Sequence, residues 1–178
     1  MTRQQNDFQC LQSKELIYSD EYKRILSEAK RWTLRENAVL TTTRHLFWAA
    51  ANLFPQVFED MLGRSLFLPD LETSTQEGAS PGEKARKMRA SSEFERILSP
   101  YGGGLAEPVA ALSIEEPIGA VHVVAALLLD AKRDVADFLR RNGIEIEGAK
   151  RSVREYLKRL TAANECCLRR RNDVKKRV

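Results

Sequence analysis

The sequence has few residues of the kinds that most often build catalytic or metal sites. Its 178 residues include only two histidines and three cysteines. Cys10, Cys166 and Cys167 are odd in number, and no two of them have the C-x-x-C spacing typical of zinc sites or redox pairs, so we interpret them as free thiols. The sequence also lacks a G-x-x-x-x-G-K-[ST] phosphate-binding loop, which predicts that this chain alone neither binds nor hydrolyses ATP.

Long hydrophobic segments are missing as well. No apolar run approaches the roughly 20 residues that span a bilayer, and the N-terminal stretch MTRQQNDFQCLQSKEL lacks the hydrophobic segment of a signal peptide. We therefore expect a cytoplasmic protein. The hydrophobic content of 43% is enough to fill the core of one ordinary domain, or of two small halves that share a core, so we do not expect disorder throughout.

Charge is distributed unevenly along the chain. Residues 149–178 hold eleven basic and three acidic residues, a net charge of +8, whereas residues 1–148 hold eighteen basic and twenty-two acidic residues, a net charge of −4. The basic runs at 169–171 and 175–177 suit contacts with nucleic-acid phosphates. However, they lack interleaved aromatic residues and follow an acidic body, which favours a solvated linker over a nucleic-acid interface.

The sequence contains an internal repeat. SDEYKRILS (19–27) matches SSEFERILS (91–99) at an offset of 72, whereas the two histidines, His45 and His122, are offset by 77. An insertion of five residues, PYGGG at 100–104, accounts for the difference, and FEDML (58–62) then aligns with VADFL (135–139) at the same offset of 77. We interpret the chain as a tandem duplication.

This interpretation divides the chain into five segments. They are an N-terminal extension (1–17), a first unit (18–66), a linker rich in Gly, Pro, Ser and Thr (67–89), a second unit (90–160) and a basic segment leading out of it (161–178).

Each unit is predicted to be helical, and strand signals are weak throughout. In the first unit, apolar residues recur on one face of a helix: Tyr22, Ile25, Leu26, Ala29 and Trp32. A final helix near 147–168 has the same pattern, with Val153, Tyr156, Leu157 and Leu160 on one face, and we expect it to pack on the second unit. Predicted helix boundaries are set by the N-caps Ser19, Thr43 and Ser92 (with Glu95 at capping-box spacing), by Pro55, and by the stops Gly63 and Gly143. The expected fold class is all-α, a pseudo-twofold tandem repeat of helical units.

The motifs in these units resemble a known family. YSDEYKRILSEA with TTTRHLFWAA, and SSEFERIL with GAVHVVAALL and FLRRNGIEIEGAKRSVREYL, are similar to the double Clp-N repeat, the N-terminal domain of the Clp/Hsp100 class of AAA+ unfoldases. The resemblance covers about residues 18–160. It implies a helical bundle without catalytic activity or cofactor that recruits client or adaptor proteins to a hexameric ATPase ring, with His45 and His122 in structural roles. It further implies that the chain is part of a longer protein.

Two departures from the family pattern alter this expectation. The glycine-threonine-glutamate that usually precedes the histidine is replaced here by residues 42–44 and 119–121. In some members that glutamate belongs to a pocket for phosphorylated arginine. Arg44 reverses its charge and Val121 removes it, so we do not expect that ligand here. The PYGGG insertion should also interrupt the first helix of the second unit.

Client binding calls for an apolar groove with aromatic anchors, and we select four candidate residues for it: Phe8, Leu11, Phe47 and Trp48. Successive helical residues point about 100° apart, so Phe47 and Trp48 are not expected to face the same core; either one is exposed or both are buried between helices. Phe8 and Leu11 would form a strap over the groove or be disordered. A hydrolase is disfavoured because the two histidines occupy equivalent positions rather than distinct roles. The alternative function is a free-standing helical adaptor or a nucleic-acid-binding protein that uses its basic tail.

Overall fold

The computed structural model describes residues 16–66, 89–112, 117–131 and 133–175, with side chains of the last helix up to residue 163. In chain order its elements are α1 (Asp20–Arg35), β1 (Leu40–Thr41), α2 (Thr43–Leu53), α3 (Pro55–Leu62), β2 (Arg89–Ala90), α4 (Ser92–Ile97), α5 (Ala106–Ala111), α6 (Ala120–Leu129), α7 (Arg133–Arg141) and α8 (Ile146–Lys175). The described part of the chain is therefore mostly helical, consistent with the predicted all-α class. Among these residues, even the 30-residue α8 lacks an apolar stretch that could cross a bilayer.

Two helices, α2 and α6, form the centre of the core. Both are apolar over most of their surface, as expected for helices packed against several neighbours. Eight residues of α2 and eight of α6 are buried, among them three alanines in each helix, whose small side chains allow close approach of the neighbouring helices. Each fully buried Val, Leu or Phe contributes about 1.5–3 kcal/mol, so these helices supply much of the driving force for folding.

The outer helices pack on this centre, and outer helices of each unit contact the central helix of the other unit. α1 packs along α2 and also contacts α6, while α3 contacts α6 and α7 contacts α2. α8 lies over α3 and α6 and also touches α5 and α7. Its contacts with α5, α6 and α7 confirm the prediction that it packs on the second unit, and it also contacts α3 of the first unit.

Short parallel backbone pairings connect the segments that precede the helices. In the two-residue strands, Leu40 pairs with Arg89 and Thr41 with Ala90. A separate parallel bridge joins Tyr18 to Ile118. Strand content is limited to these pairings in the described ranges, in agreement with the weak strand signals.

Helix boundaries follow the sequence closely, with two corrections. Ser19 accepts the Tyr22 N–H as predicted, Pro55 occupies the first turn of α3, and Gly63 ends α3 at a φ of 70°. The N-cap of α2 is Thr42 rather than Thr43, and that of α4 is Ser91 rather than Ser92. Both errors arise where two or three hydroxyl residues follow one another, because the caps need an extended backbone that the side-chain pattern does not reveal.

The PYGGG segment breaks a helix, as predicted. α4 ends at Ile97, and α5 begins only at Ala106. The Gly104 N–H donates to the Arg96 carbonyl oxygen over 3.1 Å. Gly103 lies so close to α4 that a Cβ atom there would come within 2.0 Å of the same carbonyl oxygen. The insertion is therefore packed against the end of α4.

Candidate functional site

The two histidines have the same local geometry. Each is the third residue of its helix, and its Nδ1 accepts the backbone N–H of the N-cap residue, Thr42 to His45 over 2.9 Å and Gly119 to His122 over 3.1 Å. Because Nδ1 accepts, the proton of the neutral ring is assigned to Nε2. Both rings are buried, with 3% and 4% exposure. Each histidine thus satisfies a helix N–H that would otherwise lack a partner.

The surroundings of His45 are polar. Its Nε2 lies 3.1 Å from one carboxylate oxygen of Glu36, and the other oxygen accepts a hydrogen bond from Arg44 over 2.7 Å. The Thr42 hydroxyl lies 3.0 Å from Nδ1, so an acid, a histidine and a hydroxyl adjoin one another. Nδ1 already accepts the backbone N–H, however, so its lone pair is not free to take the hydroxyl proton as a general base would. This geometry is that of a helix cap.

The surroundings of His122 are less polar. Burial lowers the pKa of His122 from 6.5 to about 4, and the nearby Glu21 carboxylate opposes this with a smaller effect. Glu21 itself accepts the Ala120 N–H at the start of α6 over 3.0 Å. His122 is therefore neutral at physiological pH. In the described ranges, no group of three His, Cys, Asp or Glu residues is arranged to hold a metal ion.

Phe47 and Trp48 are both buried, with 1% and 9% exposure, so neither projects into solvent. Of the two alternatives, burial of both rings between helices is the one observed, and both rings lie against Phe138 of α7, with centroid distances of 5.1 and 5.0 Å. Phe47 also meets Phe58 of α3 at 5.3 Å. Because α2 packs against α1, α6 and α7, a 100° change of direction still leads toward a neighbouring helix. The other two candidates, Phe8 and Leu11, lie outside the described residues.

A groove of about 310 Å³ runs between α2 and α7. The Trp48 and Phe138 rings form part of its lining, and the charged residues are Arg44, Asp134, Asp137 and Arg141. Its aromatic lining and open shape fit a side chain of a bound protein better than a small ligand.

Some charges of this groove are already paired and others are not. Arg44 is bonded to Glu36, and Asp137 accepts from Arg140 over 2.7 Å. Asp134 and Arg141 have no ion-pair partner within the described residues. They lie seven residues apart on α7, so their charges are separated by about two helical turns, or roughly 10 Å along the axis. The groove thus has an unpaired charge of each sign on one helix.

Sequence reasoning identified the α2 side of this groove but not the α7 side. Asp134, Asp137, Phe138 and Arg141 have the i, i+3, i+4, i+7 spacing of a single helical face, which is visible in the sequence. What the spacing does not reveal is that this face meets α2, because that contact joins residues about ninety positions apart.

Comparisons with known proteins do not extend this description. No protein-family model matches the chain, and no curated protein matches it significantly.

Proposed function

We propose that the chain is a duplicated, non-catalytic protein-recruitment domain of the Clp-N type, which delivers client or adaptor segments to an AAA+ unfoldase. The observation that carries the proposal is a pair of backbone pairings, each of which joins one unit to the other at corresponding positions. Adding 72 to Tyr18 gives Ala90, and subtracting 77 from Ile118 gives Thr41. The bridge between Tyr18 and Ile118 therefore corresponds to the pairing between Thr41 and Ala90.

The hydrogen bonds of the two pairings correspond as well. Ser19 donates its N–H to the Ile118 carbonyl oxygen over 3.0 Å, and Ser91 donates its N–H to the Thr41 carbonyl oxygen over 2.9 Å. In a two-fold arrangement, if position i of one half contacts position j of the other, position j of the first half contacts position i of the second. The offsets derived from sequence reproduce that rule, which supports a duplication with pseudo-twofold symmetry.

Further features support the same correspondence. The histidine caps occupy equivalent positions, and Ser19 and Ser91, 72 residues apart, are both N-caps that accept an N–H three residues later. The contact of α2 with α7 corresponds to that of α6 with α3. Helices that cross between units in this way bury each half against the other, so neither half is expected to fold alone.

The recruiting role is supported by the resemblance to the Clp-N repeat and by the aromatic groove between α2 and α7. The parent unfoldase would supply the ATPase activity and the hexameric ring. Client or adaptor proteins are the proposed partners, and no cofactor is required. A phosphorylated arginine is not the proposed ligand, because Arg44, which is ion-paired with Glu36, stands where the family's pocket for that ligand has a glutamate.

The mass of the natural protein in its source cell tests the proposal. Immunoprecipitation with an antibody against residues 18–66, followed by intact-mass measurement, should return a protein larger than 20.2 kDa by roughly the several tens of kilodaltons of an ATPase module. A mass near 20.2 kDa would refute the assignment to an unfoldase and favour a free-standing adaptor. As a functional control, ATP hydrolysis should accompany the longer protein and be absent from the 178-residue chain.

A further inference from the structure

The C-terminal helix covers a surface formed by both units. Ala149, Val153 and Leu157 of α8 are buried, with 3%, 0% and 2% exposure, and Leu160 packs against the same core. Near the end of this contact, the Thr161 hydroxyl donates to the Ala111 carbonyl oxygen over 2.5 Å. α8 therefore closes the surface that α3 and α6 build together.

The groove between α2 and α7 corresponds to this covered surface. With the offset of 77, α2 matches α6 and α3 matches α7, so the covered pair α3–α6 and the open pair α7–α2 occupy equivalent places in the proposed duplication. Asp137 of the groove corresponds to Asp60. Burial, and to a smaller extent the nearby Asp60 carboxylate, raise the pKa of the Tyr156 hydroxyl on α8, so Asp60 lies close to this helix. A helix thus occupies one of two equivalent surfaces.

The linker sequence that follows the first unit lacks the apolar positions of α8. Subtracting 77 from the apolar contact positions of α8 gives polar residues in every case: Glu72 for Ala149, Gln76 for Val153, Ser80 for Leu157 and Glu83 for Leu160. Four polar side chains at these positions cannot form the apolar stripe that α8 uses.

We propose that the groove between α2 and α7 binds an amphipathic helix of a partner protein, in the manner in which α8 binds α3 and α6. The inference rests on the proposed duplication. The partner helix should have apolar residues at i, i+4, i+8 and i+11, the spacing of the four α8 contacts. It should also carry a basic residue opposite Asp134 and an acidic residue about two turns away, opposite Arg141. This is the helix-in-groove mode of recognition, with aromatic rings as the anchors.

A peptide of α8 itself is a suitable probe. Residues 146–163, IEGAKRSVREYLKRLTAA, contain the four apolar positions and several basic residues. The readout is the indole N–H signal of Trp48 in a ¹⁵N correlation spectrum of the full chain; Trp32, the other tryptophan, does not line the groove and serves as the internal reference. We expect saturable movement of the Trp48 signal. A control peptide with Val153→Ser and Leu157→Ser should cause none.

Charge reversal on the rim identifies the site. Asp134 is exposed and unpaired, so Asp134→Lys should leave the fold intact and weaken peptide binding about fivefold, roughly the effect of one surface charge pair on a basic ligand. Glu155→Lys on α8, which makes the same change in net charge away from the groove, is the matched control and should reduce binding less than twofold. Equal weakening by both variants, or a peptide that moves no Trp48 signal, would overturn the proposal.

A second arm separates this inference from the recruiting function. The wild type and Asp134→Lys are tested for capture of a permanently unfolded, fluorescently labelled model client. If the wild-type protein captures the client but its Trp48 signal does not respond to the peptide, helix binding in the groove is rejected, whereas the proposed recruitment of clients is retained. A Trp48 response to the peptide without client capture would support the groove and reject recruitment of unfolded clients.

Discussion

Mild acid should destabilise the protein through one buried side chain, His122. Its Nδ1 accepts the Gly119 N–H, and burial lowers the pKa of its ring from 6.5 to about 4. Below pH 6.5 the unfolded chain binds a proton at this histidine, while the folded protein does not do so until the pH nears 4. The stability due to neutral His122 is therefore complete above about pH 6.5 and is lost as the pH falls toward 4.

The size of the effect follows from the pKa shift. Each pH unit in this window costs about 1.4 kcal/mol of unfolding free energy per proton taken up by the unfolded chain. Between about pH 7.5 and pH 5 the loss due to His122 should be about 2 kcal/mol. Glu21 lies near the ring and favours its charged form, and this opposing effect is already part of the shifted pKa.

Urea unfolding at several pH values between about 7.5 and 5 tests this prediction, with far-UV circular dichroism as the readout. His122→Gln keeps an acceptor for the Gly119 N–H, as in a capping box, but does not titrate, so its loss of stability over this range should be smaller than that of the wild type by about 2 kcal/mol. His45→Gln, the matched control, retains His122. The part of the pH dependence of the unfolding free energy that comes from His122 should therefore be unchanged in this variant. If His122→Gln loses as much stability as the wild type, the reasoning is wrong.

Three further predictions follow from the fold and the tail. Gly103→Ala would place a Cβ within 2.0 Å of the Arg96 carbonyl oxygen and should cost about 3 kcal/mol or more in thermal or urea unfolding; Gly102→Ala has open space but a φ of 77°, and should cost only about 1–2 kcal/mol. Phe47→Ala should cost about 3–5 kcal/mol, and a loss below about 1 kcal/mol would mean that its ring is not part of the core. Deleting residues 166–178 should abolish any salt-sensitive binding of nucleic acid, measured by anisotropy, without changing peptide binding; nucleic-acid binding that survives would place the interface in the helical body.

The positions of the helices were predictable because each depends on local features. The apolar period of α1, the proline that begins α3 and the glycine that ends it are all properties of neighbouring residues. The caps at Thr42 and Ser91 were each misplaced by one residue, since adjacent hydroxyls offer the same chemistry and only the backbone distinguishes them. Local pattern therefore predicts that an element exists more reliably than it predicts its first residue.

Burial of both Phe47 and Trp48 was one of two alternatives that the sequence left open, because the choice between them depends on residues far away in the chain. A helix with one buried face and a helix packed against several neighbours differ in what surrounds them, and for α2 the surroundings include α7, about ninety residues later in the chain. The groove has the same origin, because its two walls come from different units. The aromatic pair on α2 made one wall of the groove predictable from the sequence. The other wall is known only from the packing of α7 on α2.

In the proposed duplication α2 and α6 are equivalent helices, and the differences between them fit the different coverage of their surfaces. Where α6 has Val124 and Ala125, α2 has Phe47 and Trp48. α8 packs on α6, where these positions hold the smaller side chains, whereas the larger rings of α2 would fill part of the space that a covering helix takes. The rings do not fill all of it, since a groove of about 310 Å³ remains beside Trp48 and Phe138. A partner helix seated there would contact aromatic side chains rather than the backbone of α2, which favours weaker and more easily reversed binding than that of α8, as the proposed recruitment followed by release would require.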